Sequence, residues 1–331
     1  MRKIRWGVLS TAKIGRELVI PAIMNAANAE LVAIASRDEA RAKALADSLG
    51  VAKAYGSYEA MLADPEIDAI YNPLPNHLHV DLTLAAARAG KHVLCEKPIG
   101  MDLKDAERLR ESPKNVFVME AFMIRFHPQW QRVRDIVASG DLGEVRAVQT
   151  FFSYFNDDPS NVRNMADIGG GGILDIGCYA ITSARMAFGS DPKRVVSLID
   201  RDPAFGTDRL ASALIDFGDG KRCDFTVSTQ LVPFQRVHIM GTRKRLTVLI
   251  PFNQPTTDAI LQLSQGARGD TDLETIVIDG CDQYQREVEA FSEAIATGTP
   301  LPYGIEDALV NMATLDAIFE SERTNGWVSL G

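Results

Sequence analysis

The stretch Ile4-Arg5-Trp6-Gly7-Val8-Leu9-Ser10-Thr11-Ala12-Lys13-Ile14-Gly15 decides the first half of the fold. Residues 4–9 are a short, mostly apolar run, the pattern of a strand buried on both faces. The residues after it fill the slots of a G-x-G-x-x-G turn as S-x-A-x-x-G, and only Gly15 keeps its glycine. Ser10 and Ala12 are still small, so a pyrophosphate can approach the backbone at the amino end of the next helix. Taken alone, such a turn fits any α/β domain. Its place, directly after the first strand and opening a helix, favours dinucleotide binding through Ser10, Thr11, Ala12, Lys13 and Ile14.

Outward from this turn the chain alternates. A helix follows to about residue 27, residues 29–35 read as a second strand, and 38–49 as a helix. Residues 54–55 are a brief strand and 58–63 a turn or two of helix. Residues 69–72, 92–95 and 116–121 read as further strands, with helices over 79–89 and 103–110 between them. Short apolar strands alternating with helices predict a doubly wound parallel sheet, a Rossmann domain over residues 1–122. The second strand ends Ala35-Ser36-Arg37. A NAD site places an acidic residue near there for the ribose hydroxyls, whereas Arg37 beside the Ser36 hydroxyl suits a 2′-phosphate. NADP is therefore the expected cofactor, and Asp38 keeps NAD open.

The second half reads differently. Helices are predicted over 128–139 and 172–188, and residues 193–278 are rich in strands. Segments 210–217 and 222–229 flank Gly218-Asp219-Gly220, and 237–240 and 246–250 flank Gly241-Thr242-Arg243. Both patterns predict hairpins. Helices return over 283–296 and 306–322. Residues 123–331 thus form an α+β domain around a large, mainly antiparallel open sheet, assigned to substrate binding and oligomerisation. The whole chain is of the α/β class. Around 210–250 one sheet face lacks helices to cover it, so a homodimer or homotetramer through that sheet is expected.

Bulk properties narrow the function classes. Lys and Arg number 35 against 44 Asp and Glu, a formal charge of −9 that argues against a nucleic-acid binder. Cys95, Cys178, Cys223 and Cys281 form no C-x-x-C pair, so zinc and dithiol chemistry are not expected. Such scattered cysteines suit reduced thiols in a cytoplasmic protein. The first residues lack the apolar core of a signal peptide, and no run of about 18 apolar residues is present to span a membrane.

Two constellations carry chemistry. The strand over 92–95 ends in Glu96-Lys97-Pro98. Ligands of open α/β sheets bind at strand carboxyl ends, and a lysine there places positive charge beside a developing alkoxide. Gly169-Gly170-Gly171-Gly172 leads into Ile173-Leu174-Asp175-Ile176-Gly177-Cys178-Tyr179. Asp175 and Tyr179, four apart, share a helix face. A phenol near Lys97 would have its pKa lowered and could act as general base or acid. A core aromatic and a structural aspartate account for the helix alone equally well.

With these residues in view, the chain resembles the family of glucose–fructose oxidoreductase, inositol dehydrogenase and rhizopine-catabolism proteins, over essentially its whole length. Its marks are Glu96-Lys97-Pro98 and the glycine-rich segment leading to Asp175 and Tyr179. Supporting marks are Pro75-Asn76-His77-Leu78-His79 and Met119-Glu120-Ala121-Phe122-Met123-Ile124-Arg125-Phe126-His127-Pro128, the last most similar to the branch of dimeric dihydrodiol dehydrogenase and NADP-dependent D-xylose dehydrogenases. The resemblance implies Lys97 as catalytic lysine, Glu96 as a cofactor-ribose contact and Asp175 as a substrate-hydroxyl ligand. Tyr179 stands where many members carry a catalytic histidine. Leu74, Asn76, His79, Lys97 and Arg125 join Ser10–Ile14, Ser36, Arg37 and Glu96 in the implied cofactor set, and Arg163 and His127 are candidate substrate residues. Ser10 and Ala12 depart from the family's glycines, and Asn72 from a more usual apolar residue. His77 and His79 lack a third ligand, so no metal is expected. The implied activity is hydride transfer between NADP and a CHOH or C=O carbon of a sugar or polyol. The alternatives are a trans-dihydrodiol dehydrogenase and a non-catalytic NADP(H)-binding regulator. The loop over 155–168 is expected to line the substrate pocket.

Overall fold

A computed structural model of the chain describes residues 2–330. They divide into two compact units: residues up to Met123 together with Asp282–Leu309, and Ile124–Cys281 together with residues from Val310 onward.

The first unit is built on six parallel strands: β1 (Ile4–Leu9), β2 (Ala29–Ala35), β3 (Lys53–Tyr55), β4 (Ala69–Asn72), β5 (His92–Glu96) and β6 (Val118–Ala121). Their order is β3-β2-β1-β4-β5-β6. The direction of winding reverses between β1 and β4, which opens a crevice at the strand carboxyl ends. The helices between them are α1 (Ile20–Asn25), α2 (Glu39–Leu49), α3 (Tyr58–Leu62), α4 (His79–Arg88) and α5 (Leu103–Glu107). Most Val, Ile, Leu and Ala residues of these strands have almost no exposed surface, as a sheet covered on both sides requires.

One assignment in the sequence reading is corrected. Residues 282–309, placed with the second domain, belong to the first unit. They include α8 (Gln283–Thr297), numbered after two helices of the second unit, α6 (Pro128–Ala138) and α7 (Cys178–Phe188). The reason is packing. Trp6 of β1 is fully buried, donates from Nε1 to Ser292 Oγ at 3.1 Å, and lies 5.7 Å from the Phe291 ring. Helical period reveals an apolar face on 283–296 but not which sheet that face meets.

The second unit holds β7 (Val145–Phe155), β8 (Arg194–Arg201), β9 (Asp208–Gly218), β10 (Lys221–Ser228), β11 (Gln230–Gly241), β12 (Arg245–Val248), β13 (Ala259–Ser264), β14 (Glu274–Ile278) and β15 (Val328–Ser329). The order is β14-β13-β12-β11-β7-β10-β9-β8-β15. All neighbours are antiparallel except β7 and β10. Both anticipated hairpins form, as β9–β10 around Gly218-Asp219-Gly220 and as β11–β12. The sequence reading left β7 out, although its alternating aromatic and β-branched residues are a strand pattern. It is central to the sheet. Ser197 on β8 is tied to α9 (Ile305–Thr324) through Ser321 Oγ at 2.9 Å and the Ile318 carbonyl at 2.7 Å. No helix among the described residues is long and apolar enough to cross a membrane.

Candidate active site

In the first unit the candidate residues gather at the strand carboxyl ends. Ser10 has a φ of +86°, the region glycine occupies in the fingerprint turn. Holding serine there costs on the order of 1 kcal/mol. The hydroxyl offsets part of this by accepting from Ala12 N–H at 3.0 Å, which shapes the turn from within. At Gly15 an added Cβ would stand 3.7 Å from Pro73 and Tyr71, an ordinary contact. The small residues Ser10 and Ala12 therefore serve the turn in place of glycine.

At the end of β2, Ser36 Oγ accepts from Asp38 N–H at 3.2 Å. Asp38 caps α2 by accepting from Arg41 N–H at 3.2 Å and pairs with the Arg41 guanidinium. The acidic residue that kept NAD open is thus engaged by its own helix. Arg37 is exposed beside the Tyr58 hydroxyl.

The Lys97 turn is anchored from two sides, by His79 and by Glu120. The Lys97-Pro98 peptide is cis. His79, fully buried, lies with Nδ1 2.7 Å from the Pro98 carbonyl and Nε2 2.6 Å from the Leu74 carbonyl. Burial drives its pKa down to about 4, while both carbonyls pull against that shift. Glu120, buried at the end of β6, accepts from Ile99 N–H at 2.9 Å. Asn72 donates to the His79 carbonyl at 3.2 Å and accepts from Leu74 N–H at 3.3 Å, so the polar residue unusual in this strand staples β4 to α4. Both nitrogens of His79 face carbonyls, and His77 is exposed on the short turn Asn76–Leu78. Glu96 accepts from Tyr71 Oη at 2.7 Å. Burial, then Glu96, hold the Tyr71 phenol well above its ordinary pKa, so it remains a donor.

In the second unit the glycine run explains itself. Gly169 and Gly171 have φ of +85° and +120°. A Cβ at Gly170 would lie 2.7 Å from the carbonyls of Arg163 and Met165. Gly171 N–H donates to the Arg163 carbonyl at 2.9 Å, which ties the 162–168 loop to the helix start. The helix expected over 172–188 opens with a π-helical turn, Ile173–Gly177, before α7. Single π turns of this kind recur at functional sites. Asp175 sits in that turn, accepting from Tyr154 Oη at 2.6 Å and Arg163 Nε at 2.9 Å. Burial, then the Asp175 charge, raise the Tyr154 phenol far above its usual range.

Tyr179 is buried against two rings, Phe152 at 5.9 Å and Phe252 at 5.3 Å. Phe252 is held indirectly. His127 has no exposed surface, and its Nδ1 accepts from Gln129 N–H at 3.0 Å as the cap of α6. Gln129 and Trp130 then donate to the carbonyls of Ile250 and Pro251 at 3.1 and 2.8 Å, beside Phe252. The structure gives His127 the task of a helix cap. Arg125 is buried as well, at 3% exposure. Sequence reasoning passed over Tyr154, Phe152, Phe252, Glu120 and Asp208. Glu120 lay within a quoted motif; the others carry no local signal.

Comparison with known proteins follows this geometry. Residues 4–119 match the family model described as the oxidoreductase family with an NAD-binding Rossmann fold, and residues 130–247 match the GFO/IDH/MocA C-terminal domain. The chain belongs to the Gfo/Idh/MocA oxidoreductase family. It is 46% identical over 332 residues to an oxidoreductase of uncharacterised activity from Rhizobium meliloti, covering 99% of each chain. It is 41% identical over 329 residues to D-xylose 1-dehydrogenase (NADP(+)) 2 of Haloferax volcanii, covering 98% of this chain and 99% of the relative. A 3-ketoreductase from Actinomadura kijaniata, solved with NADP and TDP-benzene, superposes with a TM-score of 0.90 at 31% identity, covering 97% of this chain and 98% of its own. The chain is accordingly an oxidoreductase with a nicotinamide-dinucleotide-binding Rossmann fold, and its second unit carries the family's C-terminal domain.

Proposed function

We propose that the chain is an NADP-dependent oxidoreductase acting on a CHOH or C=O carbon of a sugar or polyol. The observation that carries this reading is the anchored Lys97 turn at the carboxyl end of β5, held by His79 and Glu120 independently of the lysine side chain. The D-xylose dehydrogenase relative supports the substrate class. When bound, the nicotinamide supplies the hydride acceptor or donor. Lys97 places positive charge at the reacting oxygen, Tyr179 exchanges its proton, and Asp175, oriented by Tyr154 and Arg163, holds a neighbouring hydroxyl. The first unit binds the dinucleotide through Ser10–Ile14, Ser36, Arg37, Leu74, Asn76 and Glu96, whereas His79, buried with both ring nitrogens on carbonyls, fixes the turn instead of touching the cofactor. The second binds substrate.

Arg37 supports NADP over NAD, because Asp38 is committed to α2. A panel of aldoses and polyols, read by nicotinamide absorbance, should give turnover with NADP well above NAD. Arg37→Ala should raise the KM for NADP about ten- to hundredfold, the worth of one charge-assisted contact, and leave NAD nearly unchanged. Equal loss with both cofactors would remove Arg37 from the 2′-phosphate, and no turnover on any sugar or polyol would remove the substrate class.

The outer face of the nine-stranded sheet is proposed to dock a second copy of the chain. Strand register puts Leu198, Ser212, Thr226 and Phe151 in one row, and Leu198 is 79% exposed. Arg194 and Asp216, paired at 2.9 Å, and Gln149 and Asp224, bonded at 2.9 Å, lie on the same face. A face that mixes exposed apolar residues, hydroxyls and both signs of charge can match a second copy of itself, as a two-fold contact requires. Light scattering should give at least twice 36.2 kDa. Leu198→Arg should lower that mass; a wild-type monomer would refute the docking.

A further inference from the structure

Asp208 opens β9 and is 2% exposed. Its Oδ2 accepts from Ile173 N–H at 2.6 Å, and Gly172 N–H also faces the carboxylate. Ile173 and Gly172 begin the π-helical turn that carries Asp175 and continues into α7 with Tyr179. The aspartate therefore caps the helix from a different element, 35 residues downstream in the chain. The fit is tight: a Cβ at Gly171 would collide with the Asp208 carboxylate. That collision and a φ of +120° together require glycine at residue 171.

A carboxylate at a helix amino end satisfies orphan N–H groups and complements the helix dipole. Burial opposes it here, raising the Asp208 pKa to about 7 against the pull of the N–H groups and Arg201. The charged or titratable groups facing it are Arg201 from β8, itself bonded to Glu322 at 3.0 Å, and Tyr154 from β7, which holds Asp175. A surface aspartate would make an equally good cap without the desolvation. A costly buried carboxylate at the root of the Asp175–Tyr179 segment is explained by what it orients.

We propose that Asp208 is a positioning residue for the oxidoreductase reaction, fixing the first turn of the helix that presents Asp175 and Tyr179. The proposal rests on the function assigned above. Asp208→Asn keeps one acceptor oxygen and sets an NH2 group against a backbone N–H. Asp208→Ala removes both acceptors.

The full-length enzyme is assayed with the best sugar of the panel and NADP. The expected result is a fall in kcat of about tenfold for Asn, which loses one of the accepted bonds, and more for Ala, which loses both. The KM for NADP should stay within about twofold, the size of an effect that leaves cofactor contacts intact. The wild-type kcat should rise with ionisation of Asp208 around pH 7, and this limb should be missing in the Asn variant. The melting temperature of the wild type should fall as pH rises from about 4 to about 7, and this dependence should be missing in the Asn variant. The sign follows from linkage: a carboxyl whose folded pKa is raised adds stability below its unfolded pKa and loses it as pH rises through the folded one. Hydrogen exchange supplies a readout independent of activity: the amides of residues 173–179 should lose protection in Asn, with the strands of the first unit unchanged. An unaltered kcat with unaltered exchange over 173–179 overturns the proposal, as does a loss explained wholly by lower melting. If wild type turns over no sugar, the functional assignment fails and the exchange experiment alone decides whether Asp208 orders the helix.

Discussion

Lys97→Met is expected to lower kcat by roughly 10³–10⁵. The range joins the loss of one preorganised donor, about 10²–10³, with impaired proton transfer. The structure makes this substitution a clean one. Pro98 is held by His79 and Ile99 by Glu120, and both contacts remain when the ammonium group is removed. Methionine keeps an unbranched stem of similar reach. NADP should still bind, because the Ser10 turn, Ser36 and Arg37 lie on other strands. Fluorescence titration of NADPH should show a dissociation constant changed by less than about tenfold, while absorbance assays show the lost turnover. Turnover within tenfold of wild type would strip Lys97 of its role. Lost NADPH binding at equal melting temperature would recast it as a cofactor anchor.

Tyr179→Phe is expected to reduce kcat by roughly 10²–10⁴, the usual worth of a positioned proton donor or acceptor. The packing around Tyr179 turns this into a test of chemistry rather than of folding. Its ring lies among Phe152 and Phe252, and phenylalanine retains both aromatic contacts. The melting temperature should therefore move little. Tyr179→Ala, in contrast, should destabilise by about 3–5 kcal/mol through the cavity it leaves. A Phe variant with wild-type kcat across the pH range would place the tyrosine in the core alone, and the proton would need another carrier. Tyr154 would then be the first candidate, although burial and Asp175 hold its proton firmly.

Much of the fold was legible in local pattern. The segment at residues 4–15 announced a strand, a tight turn and a helix, and β1 and the Ser10 turn are found there. The Gly218-Asp219-Gly220 hairpin was legible because positive φ at all three residues selects glycine and aspartate. Strand β7 was missed although Gly140 and Gly143 precede it and Asn156-Asp157-Asp158-Pro159 follow it, the turn residues that bound a strand. Helix α8 was assigned to the wrong neighbour because amphipathic period names a face and not a partner.

The candidate site divides in the same way. Lys97, Glu96, Asp175 and Tyr179 stand in short contiguous motifs, so residue type and spacing were enough to single them out. Their supports do not. Tyr154 reaches Asp175 across 21 positions, Glu120 reaches Ile99 across 21, and Asp208 reaches Ile173 across 35. By itself the sequence determined the strand–turn–helix order and the parallel and antiparallel halves, because these follow from periodicity and from turns a few residues long, and it singled out the side chains proposed to carry chemistry. Only the tertiary structure decided that serine takes the glycine position at residue 10, that His127 is a cap, and that Asp208 stands under the Asp175 helix. Those outcomes depend on burial and on hydrogen bonds between distant segments, and a buried polar group finds its partner through the fold rather than along the chain.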